Sequence, residues 1–132
     1  MTFDLPMPPT ANNLYFNLPR RGRAKTPEYC NWITTAGWEL AKQKRDLGIT
    51  KFKEPVSLLY EVQRGRRDLA NSEKAVTDLL VKCGVLEDDG PDYVHEITMR
   101  WAVVRGVRVT IVPVASNETT EGQRDGKEKI RL

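Results

Sequence analysis

The stretch VSLLYEVQRGRRDLANSEKAVTDLLVKCG, Val56 to Gly84, changes its hydrophobic period part-way along. At first Val56, Leu58, Tyr60 and Val62 alternate with Ser57, Leu59, Glu61 and Gln63. A period of two puts one set on each face of a β-strand. From Asn71 to Cys83 the apolar residues are Ala75, Val76, Leu79, Leu80 and Cys83. That spacing marks one face of a helix. Lys74, Asp78 and Lys82 lie opposite, and Gly84 is placed to end it. A strand running into an amphipathic helix implies layers packed around one core.

Outward from this unit the pattern continues. TFDL, residues 2–5, reads as a short strand stopped by PMPP. Residues 6–27 are rich in Pro, Asn and Arg and read as loop, with RRGRAK, Arg20 to Lys25, expected to be mobile. A helix is expected from Thr34 or Thr35 through TTAGWELAKQKRDLG, capped by threonine and stopped at Gly48. Trp38 and Ala41 would form its buried stripe, with Lys42, Lys44 and Arg45 outward. Ile97, Met99, Trp101 and Val103 alternate, then Val107, Val109 and Ile111, and Arg105-Gly106 between them suggests a tight hairpin. Pro113 closes the last strand or puts it at an edge. The expected order is β-α-β-α-β-β: an α/β (α+β) domain with a small mixed sheet and two main helices. It would occupy 1–114, followed by a polar, disordered tail at 115–132.

Composition narrows the function. Of 132 residues, 39% are hydrophobic and 30% charged, as in one soluble domain with a real core. No window approaches the roughly 18 apolar residues of a membrane helix. The N-terminus has neither the basic nor the apolar region of a signal peptide. Cys30 and Cys83 fit no metal pattern, and a reducing compartment is the simpler reading. With His95 the only histidine, a zinc site or a histidine-based triad is hard to build. The net charge of +3 hides three basic clusters: Arg20, Arg21, Arg23 and Lys25; Lys42, Lys44 and Arg45; Arg64, Arg66 and Arg67. Together they could grip phosphates, or they are solvated faces.

The helix of the opening stretch has a basic pair and Asp68 at its start and Glu87, Asp88 and Asp89 just past its end. Carboxylates near a phosphate need a divalent metal between the like charges. Mg²⁺ takes one or two carboxylates, water and phosphate oxygens. Asp68 and Asp89 are the candidate ligands, with Asp88 auxiliary. Arg66 and Arg67 could orient phosphates by forked hydrogen bonds. Lys74 could meet a developing oxyanion, and Asn71 could cap the helix or bond a phosphate. Each has a plainer reading: Asp68 or Asn71 as N-cap, Lys74 as a solvated residue, 87–90 as an acidic turn. A helix over 71–83 would be about 18 Å long. Asp68 and Asp89 therefore meet only if the chain doubles straight back, or across a dimer interface.

The ordered set R-R-D-L-x-N-x-x-K, a helix ending in Gly, then D-D resembles the RusA family of Holliday junction resolvases. LPMPPTANNLY, Leu5 to Tyr15, is similar to the family's L-P-x-P-P-S-x-N-x-x-Y opening, and TTAGWELAK occupies the place of its Ser/Thr-x-x-G helix start. The resemblance spans about residues 2–114. It implies a cytoplasmic, homodimeric endonuclease of a bacterial or phage-infected cell, with no small-molecule cofactor. Such enzymes bind four-way junctions and nick two opposing strands with Mg²⁺, for which Mn²⁺ can substitute. It assigns catalysis to Asp68, Asp89 and Lys74, and metal binding to Asp68, Asp89 and Asp88. DNA contacts would fall to Arg66, Arg67, Asn71, Asn13, Arg20, Arg21, Arg23 and Lys25. One departure is plain: the family's second aspartate, two residues after the first, is Ala70 here. Either the other acids suffice, with Asp88 or Glu87 standing in, or the protein binds branched DNA and cuts it weakly or not at all.

Overall fold

The computed structural model describes residues 1–114, and the tail expected at 115–132 lies outside them. β4, Val56–Gln63, is the strand read from its alternation, and Val56, Leu58, Tyr60 and Val62 are all buried. It lies inside a four-stranded sheet of order β1-β6-β4-β5. β5, Val94–Ala102, pairs parallel to β4 on one side, and β6, Val107–Pro113, pairs antiparallel on the other. β1, Thr2–Leu5, pairs antiparallel to the far side of β6.

The helix after β4 begins as a 3-10 turn, Leu69–Ser72, and continues as α2, Glu73–Lys82. Its buried residues include Ala75, Val76, Leu79 and Leu80, the face that the spacing marks out. Gly84 follows with φ 73°, a left-handed conformation that suits glycine and reverses the chain. These residues join Phe3, Leu5, Val107, Val109 and Ile111 in one core. The other face of the sheet, with Leu59, Glu61 and Thr110, stays partly exposed, which makes a two-layer domain.

Three expectations need correction. The first helix, α1, is Pro27–Asp46, starting two turns before Thr34. Thr26 caps it, its hydroxyl accepting a hydrogen bond from the Tyr29 amide at 3.1 Å, and Pro27 needs no amide partner at the first position. That start buries Tyr29, Trp32, Ala36 and Leu40. Trp38 lies about 200° around the helix from Ala36. It is 81% exposed, and Ala41 is exposed too. Next, residues 15–25 are a β-ribbon where loop was expected. β2, Tyr15–Leu18, pairs antiparallel with β3, Gly22–Lys25, as a separate two-stranded sheet. Arg20 turns it at φ 63°.

The last correction concerns β5 and β6. They form no hairpin, because β4 lies between them. Residues 103–106 carry the chain across the end of β4 instead. Gly106 sits there at φ 72°, and a Cβ would collide with the Leu5 carbonyl oxygen. Gln63 fastens the crossing: its amide donates to the Gly106 carbonyl and its side-chain oxygen accepts from the Gly106 amide, both at 2.8 Å. Pro113 does close β6, though inside the sheet rather than at an edge.

Candidate active site

The connector from β4 to α2 carries Arg64, Arg66, Arg67, Asp68 and Asn71. Asp68 takes the N-cap position of the 3-10 turn, and its carbonyl accepts the Asn71 amide at 3.1 Å. Its carboxylate makes no capping bond. Among the described residues that carboxylate has neither a hydrogen-bond nor an ion-pair partner, and the residue is exposed. Capping therefore accounts for the backbone of Asp68 and leaves its charge unused. Ala70 is exposed on the same turn, where a carboxylate would have reached solvent.

Two side chains strap the LPMPP segment down, Trp32 from α1 and Arg67 from this connector. The Trp32 indole N–H donates to the Pro6 carbonyl at 2.9 Å, and the Arg67 guanidinium donates to the Pro8 carbonyl at 2.7 Å. Arg67 thus spends one donor on folding and keeps others. Arg66 is exposed with no partner among the described residues. Asn71 is half-buried beside Ser72, which is fully buried with an unpartnered hydroxyl.

Lys74 lies one turn into the helix and ion-pairs with Asp78 at 3.3 Å. The Asp78 hydrogen bond, then its charge, holds the ammonium above the usual lysine value, so it stays protonated. An exposed pair at this spacing contributes only about 0.2–0.5 kcal/mol, so a phosphate can displace Asp78. Below it runs a polar chain that the periodicity did not reveal. The Tyr60 and Thr77 hydroxyls meet at 2.7 Å inside the core, and Thr77 donates to a Glu73 carboxylate oxygen at 2.7 Å. Burial drives the Tyr60 pKa far up, and the charges of Glu73, Asp78 and Asp89 add to it. A signal existed: an inward-facing strand tyrosine needs a partner, and Glu73 and Thr77 stand four apart on one helix face.

The acids beyond α2 divide. Glu87 pairs with Lys51 at 3.1 Å, while Asp88 and Asp89 are exposed and have no partner among the described residues. After α2 the Val85 and Leu86 amides both bond the Leu80 carbonyl, and Leu86 bridges Phe52, which precedes β4. The chain moves to the start of β4, where Val94 stands opposite Val56. Asp68, in contrast, follows the end of β4. Asp89 still lies close enough for its charge to bear on the Tyr60 hydroxyl, part-way along β4. Among the described residues no three His, Cys, Asp or Glu side chains gather where one metal ion could be held. The structure places Asp68, Asn71 and Lys74 at the start of α2. It does not join them to Asp88 and Asp89 as a three-acid cluster in one chain.

The β-ribbon carries the remaining basic candidates. Arg20 and Arg21 are exposed at its tip. The Arg23 guanidinium lies 4.5 Å over the Tyr15 ring, and Tyr15 meets Tyr29 edge-on at 5.8 Å. Lys25 lines a crevice of about 200 Å³ with Tyr15, Tyr29, Asp78 and Lys82. Asn13 is used internally: its amide donates to Thr10 at 3.1 Å and its carbonyl accepts from Thr26 at 2.7 Å. Counted along the motif from Leu5, the asparagine position falls on Asn12, which is exposed.

No protein-family model matches the chain. Over 115 residues, 85% of this chain and 88% of the other, it is 31% identical to the crossover junction endodeoxyribonuclease RusA of Aquifex aeolicus (strain VF5). The chain belongs to the RusA family. The match to RusA takes in most of the chain and most of its relative. No helix among the described residues is long and apolar enough to cross a membrane.

Proposed function

We propose that the protein is a structure-selective endodeoxyribonuclease that binds four-way DNA junctions and resolves them by paired, metal-dependent hydrolysis of phosphodiester bonds. The observation that carries this reading is the partnerless Asp68 carboxylate, set among Arg66, Arg67, Asn71 and Lys74 in a RusA-family chain. Exposed carboxylates with no protein partner suit Mg²⁺, which keeps several waters and takes one or two carboxylates alongside substrate phosphate. Asp68 and Asp89 would hold the ion, with Asp88 beside them; Mn²⁺ offers similar coordination. When bound, it supplies an activated water and neutralises charge on the phosphate.

The chain's own groups do the rest. Lys74 leaves Asp78 and meets the charge that develops on the phosphate oxygens. Arg66, and the donors Arg67 keeps, hold the backbone. The ribbon, with Arg20, Arg21, Arg23 and Lys25, grips a neighbouring arm of the junction. Two copies related by a two-fold axis match a junction with two equivalent strands. Selection rests on junction shape, with phosphate contacts setting register.

A second reading has its own observation. Ala70 removes a carboxylate from the exposed turn, and a protein with too weak a metal site would bind junctions without cutting them. A labelled synthetic four-way junction separates the two. Paired nicks that need Mg²⁺ and vanish in Asp68→Asn support the nuclease. Metal-independent binding without nicks, converted to cutting by Ala70→Asp, supports the second reading.

A further inference from the structure

The β-ribbon has a second face that the fold leaves unused. Side chains alternate across it. The register sets Tyr15 opposite Lys25 and Asn17 opposite Arg23 on one face, and Phe16 opposite Ala24 and Leu18 opposite Gly22 on the other. The first face is tied down: Tyr15 packs on the core, meets Tyr29 edge-on and carries the Arg23 guanidinium. On the second face Phe16 is 44% exposed. Neither Phe16 nor Leu18 joins the core or the half-buried side chains packed against it. Among the described residues no ring or cation lies over the Phe16 ring.

The charges around this ring say what it would meet. Residues 5–27 include Arg20, Arg21, Arg23 and Lys25 and no Asp or Glu. The tip is both stiff and charged. Pro19 and Arg20 are the middle residues of a turn that the Arg21 amide closes on the Leu18 carbonyl at 3.3 Å. Arg20 stands there at φ 63°, a conformation that glycine adopts more easily. An arginine in that conformation costs stability, and it sets a cation at the tip. An aromatic plate beside unpaired cations is the combination that stacks a nucleic-acid base while the cations hold its phosphates. A membrane surface would need a broad apolar face, and here one ring is exposed.

In an unbroken duplex every base pair is covered on both sides, and an inserted ring must first unstack a step. Where four arms meet, the last pair of each arm has lost a neighbour and offers a bare face. The ribbon also stands close to the candidate site. Tyr15 and Lys25 share a crevice with Asp78, the ion-pair partner of Lys74, and Phe16 is the next residue along. We propose that Phe16 stacks on a base left uncovered at the branch point while Arg20 and Arg21 hold the flanking phosphates, and that this contact is a source of junction preference. The proposal rests on the junction-binding reading above and adds to it the group that reads the branch.

The test is binding without divalent metal, so that cutting plays no part. Three DNAs are compared at one salt concentration: a four-way junction, an unbranched duplex and a single-stranded oligothymidylate. Phe16→Ala and Phe16→Leu should each weaken junction and single-strand binding about tenfold and change duplex binding by less than about twofold. Phe16→Tyr keeps the ring and should bind all three as wild type does. Arg20→Gly relaxes the turn but removes a phosphate contact, and should weaken all three alike. Unchanged junction affinity in Phe16→Ala, full retention in Phe16→Leu, or an equal loss on all three DNAs in Phe16→Ala overturns the stacking. A wild type that does not prefer the junction to the duplex defeats the junction reading alone. The single strand then decides, a tenfold loss in Phe16→Ala supporting the stacked base and no loss overturning it. Binding to phosphatidylglycerol vesicles that disappears in Phe16→Ala, with DNA binding unchanged, assigns the ring to a lipid surface and overturns the proposal as well.

Discussion

Six acids lie between Arg66 and Gly90, and they fall into two sets of three. Glu73 takes a hydrogen bond from Thr77, Asp78 holds Lys74 and Glu87 holds Lys51. Asp68, Asp88 and Asp89 hold nothing among the described residues. The first set ties elements together: strand to helix, turn to turn, loop to loop. The second contributes no contact to folding, and repulsion among such charges works against it. Sequence alone gives both sets the same letters. Only the contacts separate acids that keep the fold from acids free to act on something else.

The comparison is sharpest at Asp68. Asp68→Asn is expected to reduce junction nicking beyond the roughly 100-fold that loss of an outer-shell metal partner costs. Its thermal midpoint should stay within error of wild type, since no contact is removed. A large fall in the midpoint would break the division.

Thr77→Val should do the reverse. It strands the Tyr60 hydroxyl in the core and frees Glu73, at a cost of about 1–3 kcal/mol. A urea titration should move to lower midpoint while Mn²⁺ affinity changes little.

Alkaline pH gives a smaller loss. Burial, then the charges of Tyr15 and Asp78, pushes the Tyr29 phenol from its ordinary 10.0 up to about 12. The folded state holds that proton more tightly than the unfolded chain does. Its contribution is complete below pH 10 and disappears as the pH rises toward 12. The buried Tyr60 acts in the same direction. Tyr29→Phe should flatten the fall of the urea midpoint across this window.

Glu87→Gln is the smallest. The Lys51 pair is exposed, so a loss under about 1 kcal/mol and unchanged nicking are expected. A nuclease crippled by this change would identify Glu87 as the stand-in for the acid missing at Ala70.

β4 and α2 were legible because each buries one face, and burial of one face writes a period into the sequence. The start of α1 was signalled by Thr26-Pro27, but the Thr34-Thr35 pair offered a second cap eight residues on and masked it. The ribbon was hidden by short, exposed strands with no apolar alternation to read. Arg105-Gly106 looked like a hairpin turn because a turn is a local signal. Which strand lies between two others is decided by packing far along the chain. At the site, residue types were legible from the motif, while the use of each charge was not. Lys51 and Glu87 are 36 residues apart, and nothing local pairs them.

The strap at residues 6–9 has one more consequence. Pro6, Pro8 and Pro9 carry no amide hydrogen, so the hydrogen bonds of the segment that braces Arg67 beside Asp68 run through its carbonyls. Amide deuterium labelling would find only Met7 there and leave the brace nearly blank. The indole proton of Trp32 fills the gap, because it is the donor that the Pro6 carbonyl captures. Its resonance gives a single-proton reporter of whether the brace is seated, readable with and without DNA in the same sample.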